Sequence, residues 1–124
     1  AFEFIRYKQL EKEYNFSKLV SILKTTFCLP SLRVVNSKRK TYSSIAFCSG
    51  SGADFISDLE KIGIDVFITG DLKHHQALNA DKMTVIDLGH FHSEKFVVEI
   101  FQNILKDEDI EIITATDRPA WELL

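Results

Sequence analysis

Two short segments of this chain are built alike, and together they constrain most of what it can fold into. The first is Phe67-Ile68-Thr69-Gly70-Asp71-Leu72-Lys73-His74-His75, and the second is Val85-Ile86-Asp87-Leu88-Gly89-His90-Phe91-His92-Ser93-Glu94. Each is an apolar, β-branched run, then a glycine, then polar residues that open a helix. Strands joined through helices run parallel, with right-handed crossovers. Parallel strands end on one side of the sheet, the edge where open α/β sheets hold their ligands. All four histidines fall within residues 74–92. The spacing therefore gathers Asp71, His74, His75, His90, His92 and Glu94 around one crevice. Imidazole and carboxylate together form a donor set for a divalent transition metal.

Periodicity extends this pattern along the chain. Residues 1–14 alternate charge and aromaticity with weak periodicity and dictate no element. Ser17 can cap a helix to about Cys28, with Leu19, Ile22, Leu23 and Phe27 on one face and Pro30 as its stop. Leu32, Val34 and Tyr42–Cys48 predict two strands joined as a hairpin by an Asn36–Lys40 turn. A helix follows from about Ala53 to Ile62, ended by Gly63. Asp65–Thr69 is a strand, Leu72–Leu78 a short helix and Met83–Leu88 a strand. Ser93–Lys106 is expected to be the longest helix, with Phe96, Ile100, Phe101 and Ile104 as its buried stripe. Glu111–Thr116 closes the order as a strand. The expected fold class is α/β, with a mixed, mostly parallel sheet in a single domain over residues 1–124.

Composition narrows the function classes. A chain of 124 residues can bury a real core. The net charge of −3 gives no electrostatic case for nucleic acid, and Lys38-Arg39-Lys40, the single basic run, suggests a solvated turn. Cys28 and Cys48 make no disulfide framework and read as reduced, buried thiols of a cytoplasmic protein. No apolar run approaches a membrane span and no signal-peptide pattern opens the sequence, which begins at Ala1 without methionine.

Three motifs can carry chemistry. In Gly89-His90-x-x-x-Glu94 the interval of four brings both side chains to one point. A carboxylate there can bridge two metal ions and support metal-assisted hydrolysis. The same residues also suit an ordinary helix start, with Glu94 favoured by the dipole. In Thr69-Gly70-Asp71-x-x-His74-His75, Asp71 can cap the short helix. His75 lies at the same interval of four from Asp71 and can act as ligand, orienter or general acid–base group. Adjacent histidines on a helix point about 100° apart, so His74 is expected to face elsewhere. Cys48-Ser49-Gly50-Ser51-Gly52 joins a strand to a helix. Its residues Ser49, Gly50, Ser51 and Gly52 can cradle an anion or provide a tight turn. They do not complete a dinucleotide fingerprint or a nucleophile elbow. Asp87, inside an apolar strand, is either hydrogen-bonded near the sheet end or a partner of a histidine. Trp121 and the ten phenylalanines form no stacking platform for bases.

These segments, in this order from about Ser17 to Thr116, resemble the C-terminal half of the Nif-three-like family, also known as GTP cyclohydrolase I type 2 homologues. The resemblance rests on Ile45–Gly52, Asp65–Ala77 and Ile86–Glu94. It implies one α-β-(βα)3 repeat of a two-repeat protein, with the N-terminal repeat absent. It also implies a site for two divalent metal ions, of zinc, iron, manganese or magnesium. His90 and Glu94 match its Gly-His-x-x-x-Glu ligands, and the remaining ligands belong to the other half. His75 is the matching histidine of its motif, since a tyrosine is common at His74. The resemblance implies a metal-dependent hydrolase that forms a ring-like oligomer, of which this fragment is expected to be inactive. Competing implications are an interaction or regulatory module holding a protein partner, and a module that binds a small phosphate-bearing molecule or nucleotide.

Overall fold

The computed structural model describes residues 3–122 and 124. Five strands form one sheet in the order β1-β3-β4-β5-β2. They are β1 (Arg6–Asn15), β2 (Arg33–Val35), β3 (Thr41–Ser51), β4 (Val66–Gly70) and β5 (Thr84–Asp87). The three central strands β3, β4 and β5 are parallel, whereas β1 and β2 run antiparallel to their neighbours at the two edges. The helices are α1 (Phe16–Phe27), α2 (Ile56–Lys61, entered through a 3-10 turn at Ala53–Phe55), α3 (His74–Ala77), α4 (His90–Glu94) and α5 (Val97–Leu105). The α/β class and the mixed, mostly parallel sheet expected from the sequence are those observed.

The middle strands β4 and β5 are buried along their whole length because both sheet faces are covered. On one face, Leu19, Leu23 and Phe27 of α1 pack on Tyr42, Val66, Ile68, Ile86 and Leu88. On the other, Ile56 and Leu59 of α2 pack with Ala46, Phe67, Met83 and Val85. Alternation along β4 and β5 divides their side chains between these two cores. Each fully buried Val, Ile or Phe contributes roughly 1.5–3 kcal/mol, which makes these two strands the centre of stability.

Several elements differ from the sequence expectation. The region 1–14 contains edge strand β1, although residues 1 and 2 lie outside the described residues. Its polar, aromatic-rich pattern is that of a solvated edge rather than a buried strand. Asn15, not Ser17, caps α1, its side chain accepting from Lys18 N at 2.8 Å. Cys28, expected to be buried, is exposed in a left-handed C-cap, while Cys48 is buried as expected. The expected helix over 93–106 begins earlier, at His90, and is interrupted at Lys95 and Phe96. At that interruption Lys95 Nζ donates to Phe27 O at 2.6 Å and the Phe96 ring packs 5.5 Å from that of Phe27. Ile100, Phe101 and Ile104 of the expected buried stripe are exposed, and Glu111–Thr116 forms no strand. Among the described residues, no element buries them.

The largest correction concerns β2 and β3, which are not a hairpin. β2 pairs with β5, Val34 facing Ile86, and the chain then crosses beneath the sheet to β3. Three strand spacings of about 4.8 Å separate the two strands, within reach of the intervening residues 36–40. Polar bonds pin this crossing. Asn36, at φ 55°, donates through its side-chain amide to Ala80 O and Met83 O. The buried Asp65 accepts from Ser43 N, Ser43 Oγ and Ser44 N, and pairs with Arg39. Arg39 of the basic run is therefore a structural cation rather than part of a purely solvated turn. Among the described residues, no helix is long and apolar enough to cross a membrane.

Burial acts to raise the Asp65 carboxyl, but the bonds from Ser43, the Arg39 charge and the Ser44 amide outweigh it and hold the group below its ordinary value. Its stabilising contribution is thus present above the unfolded value and lost as pH falls through the folded one. Asp65→Ala should lower unfolding free energy by about 2–3 kcal/mol at neutral pH, because it strands buried donors and a half-exposed arginine. Asp65→Asn should flatten the loss of stability below about pH 4. Urea titrations across pH check both, and parallel acid profiles for wild type and Asp65→Asn would contradict the assignment.

Candidate functional site

The parallel strands β3, β4 and β5 end together, and short-range polar bonds fix the loops that leave them. Thr69, buried at the end of β4, accepts from Gly52 N through its hydroxyl at 2.9 Å and donates to Gly50 O at 3.2 Å. Ser93, in the first turn of α4, accepts from Gly50 N at 2.8 Å and donates to His90 O at 2.8 Å. Asp87, whose side chain is only 1% exposed, accepts from Leu72 N at 3.0 Å and Gly89 N at 2.7 Å, and pairs with Arg33. One carboxylate thereby ties the loop after β4 to the loop after β5. Of the two roles open to Asp87 from the sequence, the structure shows the hydrogen-bonded one.

Glycine is required where these strand ends meet. A Cβ on Gly70 would lie 2.8 Å from the backbone of Gly89 and 2.9 Å from Gly50 O. Gly50, at φ +67°, faces the helix after β5, and a Cβ there would lie 2.7 Å from Glu94 Oε1 and 3.3 Å from the His90 ring. The Ser49–Gly52 segment thus forms the wall against which His90 and Glu94 stand. The amides of Gly50 and Gly52 are engaged by Ser93 and Thr69, so they do not point at an external anion.

Above this platform, Asp71, His90 and Glu94 form one line of contacts. His90 Nδ1 lies 2.8 Å from Asp71 Oδ2, and His90 Nε2 lies 3.3 Å from Glu94 Oε2. All three side chains are about half exposed. Asp71 does not cap α3, which begins after Lys73, and its own φ of 52° turns its side chain towards His90. The hydrogen bond that His90 Nδ1 donates to Asp71 raises the His90 pKa above its ordinary value; slight burial opposes this, and the charges of Glu94 and Asp71 add to it. When the neutral ring donates its Nδ1–H to Asp71, Nε2 presents its lone pair towards the Glu94 carboxylate. Two electron-rich atoms that close are reconciled by a proton or by a metal cation between them.

The remaining sequence-predicted residues stand apart from this line. His75 lies in the short helix α3, exposed, and neither its side chain nor that of His74 has a hydrogen bond or ion pair among the described residues. His92 packs edge-on against Phe91, ring centroids 5.4 Å apart, and burial followed by the Lys95 charge lowers its pKa. No group of three or more His, Cys, Asp or Glu side chains among the described residues is arranged to hold a metal ion. The sequence reading passed over Ser93 and Thr69 as site-building residues. A hydroxyl directly before Gly70 in an otherwise apolar strand, and another three residues after His90, were the available signals.

Fold and site together define an α/β protein whose polar side chains converge at the carboxyl edge of its parallel strands. The chain belongs to the Duf34/NIF3 (NGG1p interacting factor 3) family, whose sequence pattern matches residues 2–119. It is 36% identical over 115 residues to a Campylobacter jejuni protein named GTP cyclohydrolase 1 type 2 homolog, covering 91% of this chain and 46% of that one. It is 29% identical over 117 residues to a Clostridium perfringens protein of the same name, covering 90% and 45%. Staphylococcus aureus protein SA1388 shares the fold with a TM-score of 0.78 at 23% identity, over 97% of this chain and 42% of that one. A Bacillus cereus protein related to NIF3 does so with a TM-score of 0.77 at 19% identity, over 95% and 35%. The chain spans about half the length of the curated relatives it matches.

The two glycines should respond differently to alanine. Gly70→Ala meets backbone and should cost about 1–3 kcal/mol through displacement of strand ends. Gly50→Ala meets the mobile tip of Glu94, so it should cost about 1–2 kcal/mol of backbone strain and turn the Glu94 carboxylate away from His90. Unfolding titrations measure the first effect and the His90 ring resonances the second. Unchanged His90 resonances in Gly50→Ala would show that this wall does not position the pair.

Proposed function

We propose that this chain is a metal-binding unit that contributes His90 and Glu94 to the dinuclear centre of a metal-dependent hydrolase. The observation that carries this reading is the Asp71–His90–Glu94 line, in which a carboxylate holds one imidazole nitrogen while the other faces a second carboxylate. That is the donor chemistry of a metal-ligating histidine with its orienting partner. His90 and Glu94 would hold the ion, and Asp71 would fix the ring's tautomer and direction. A bound divalent ion would polarise a substrate oxygen and activate water for hydrolysis. Two protein donors fall short of the three common in catalytic zinc sites, so the remaining ligands come from outside this chain. His75, whose exposed side chain has no hydrogen bond among the described residues, is the chain's proposed acid–base group, with Asp71 shaping the same edge.

Calorimetric titration with zinc, manganese and magnesium salts, taken separately, tests the reading. Wild type should bind at least one ion weakly. His90→Ala and Glu94→Gln should abolish that binding, and Asp71→Asn should weaken it about 10–100-fold. Undiminished binding in Glu94→Gln would remove that residue from the site. Tight stoichiometric binding by a monomer would show that this chain holds further ligands.

A further inference from the structure

An open apolar groove of about 330 Å³ lies on the α1 side of the sheet, beside edge strand β1. Leu23, Ile45, Phe47 and Ile68 floor it, and Arg6 and Lys8 of β1 stand at its rim. Among the described residues, the Arg6 side chain donates to the backbone oxygens of Glu3 and Ile5 and to no carboxylate, and Lys8 forms no ion pair.

The segment after α5 carries the complementary pattern. Asp109-Ile110-Glu111-Ile112 alternates acid and isoleucine, so in an extended conformation its acids face one side and its isoleucines the other. Residues 111–116 make no backbone hydrogen bond among the described residues. Ile110, Ile112 and Ile113 are exposed, the last at 82%. Asp107, Glu108, Asp109 and Glu111 form no ion pair among the described residues. Within one chain the two features do not meet, since the isoleucines remain exposed while the groove stands open.

We propose that the groove receives the Asp109–Ile113 segment of a second copy of this chain, with Ile110 and Ile112 on its apolar floor and Asp109 and Glu111 against Arg6 and Lys8. Two copies can exchange segments reciprocally, so each association uses the contact twice. The alternating charges set the direction and register of the inserted segment.

Charge reversal in two places tests the exchange. Sedimentation equilibrium of wild type should show a concentration-dependent dimer that weakens with salt. Arg6→Glu with Lys8→Glu, and separately Asp109→Lys with Glu111→Lys, should each weaken self-association about 10-fold or more. Mixing the two variant chains should restore a dimer, because each groove then meets a segment of opposite charge. A peptide of residues 106–116 should dissociate the wild-type dimer, a readout that needs no substituted protein to fold. A monomeric wild type at high concentration, unaltered dimers in either variant, failure of the mixture to associate, or an inert peptide would each overturn the proposal.

Discussion

The buried carboxylate of Asp87 is the interaction on which the carboxyl edge of the parallel strands depends. A charge so enclosed is tolerated only where its oxygens are fully engaged. Here they hold Arg33 of β2, the amide of Leu72 after β4 and the amide of Gly89 after β5. The edge strand and both loops that carry Asp71 and His90 thus converge on one side chain. Thr69 and Ser93 extend the same arrangement to the loop after β3. The exposed contacts of Asp71, His90 and Glu94 rest on this inner layer, so half-exposed side chains occupy defined positions despite the solvent around them.

The inner and outer layers divide their physical roles. The inner groups satisfy backbone donors and set geometry. The outer groups keep free valence, with Nε2 of His90 and the carboxylate of Glu94 turned to one another. The glycines at 50 and 70 permit the approach, because three strand ends and a helix start are drawn closer than side chains would allow. This is why the histidine motif needs the glycine-rich segment opposite, although that segment contributes no donor of its own to the Asp71–His90–Glu94 line.

Much of this was legible in the sequence because it was local. β-Branched, mainly apolar runs at 66–69 and 84–88 mark buried strands, and their repetition before helical stretches fixes parallel direction. The interval His90–Glu94 predicted two side chains that do meet, whereas the equal interval Asp71–His75 did not bring its pair together. What local pattern could not supply was pairing at long range. Arg33–Val35 reads equally well as one arm of a hairpin, and only the distant Asp87, Ala80 and Met83 decide otherwise. Asp71 likewise has an ordinary helix-capping role in isolation, and its left-handed backbone sends it to His90 instead. The α5 stripe was correctly apolar, but periodicity identifies a face without saying whether the same chain covers it.

The crossing from β2 to β3 also sets an order of events during synthesis. Arg33 leaves the ribosome well before its partner Asp87, 54 positions later. At ordinary elongation rates that interval lasts about 3–11 s, far longer than a helix takes to form. α1 can therefore form while β2 is still without its strand, and the chain must carry Val34 and Val35 unpaired until β5 emerges. Edge strand β2 is made before the three central strands but is completed only after the last of them, and the carboxyl edge of the sheet cannot close until it is.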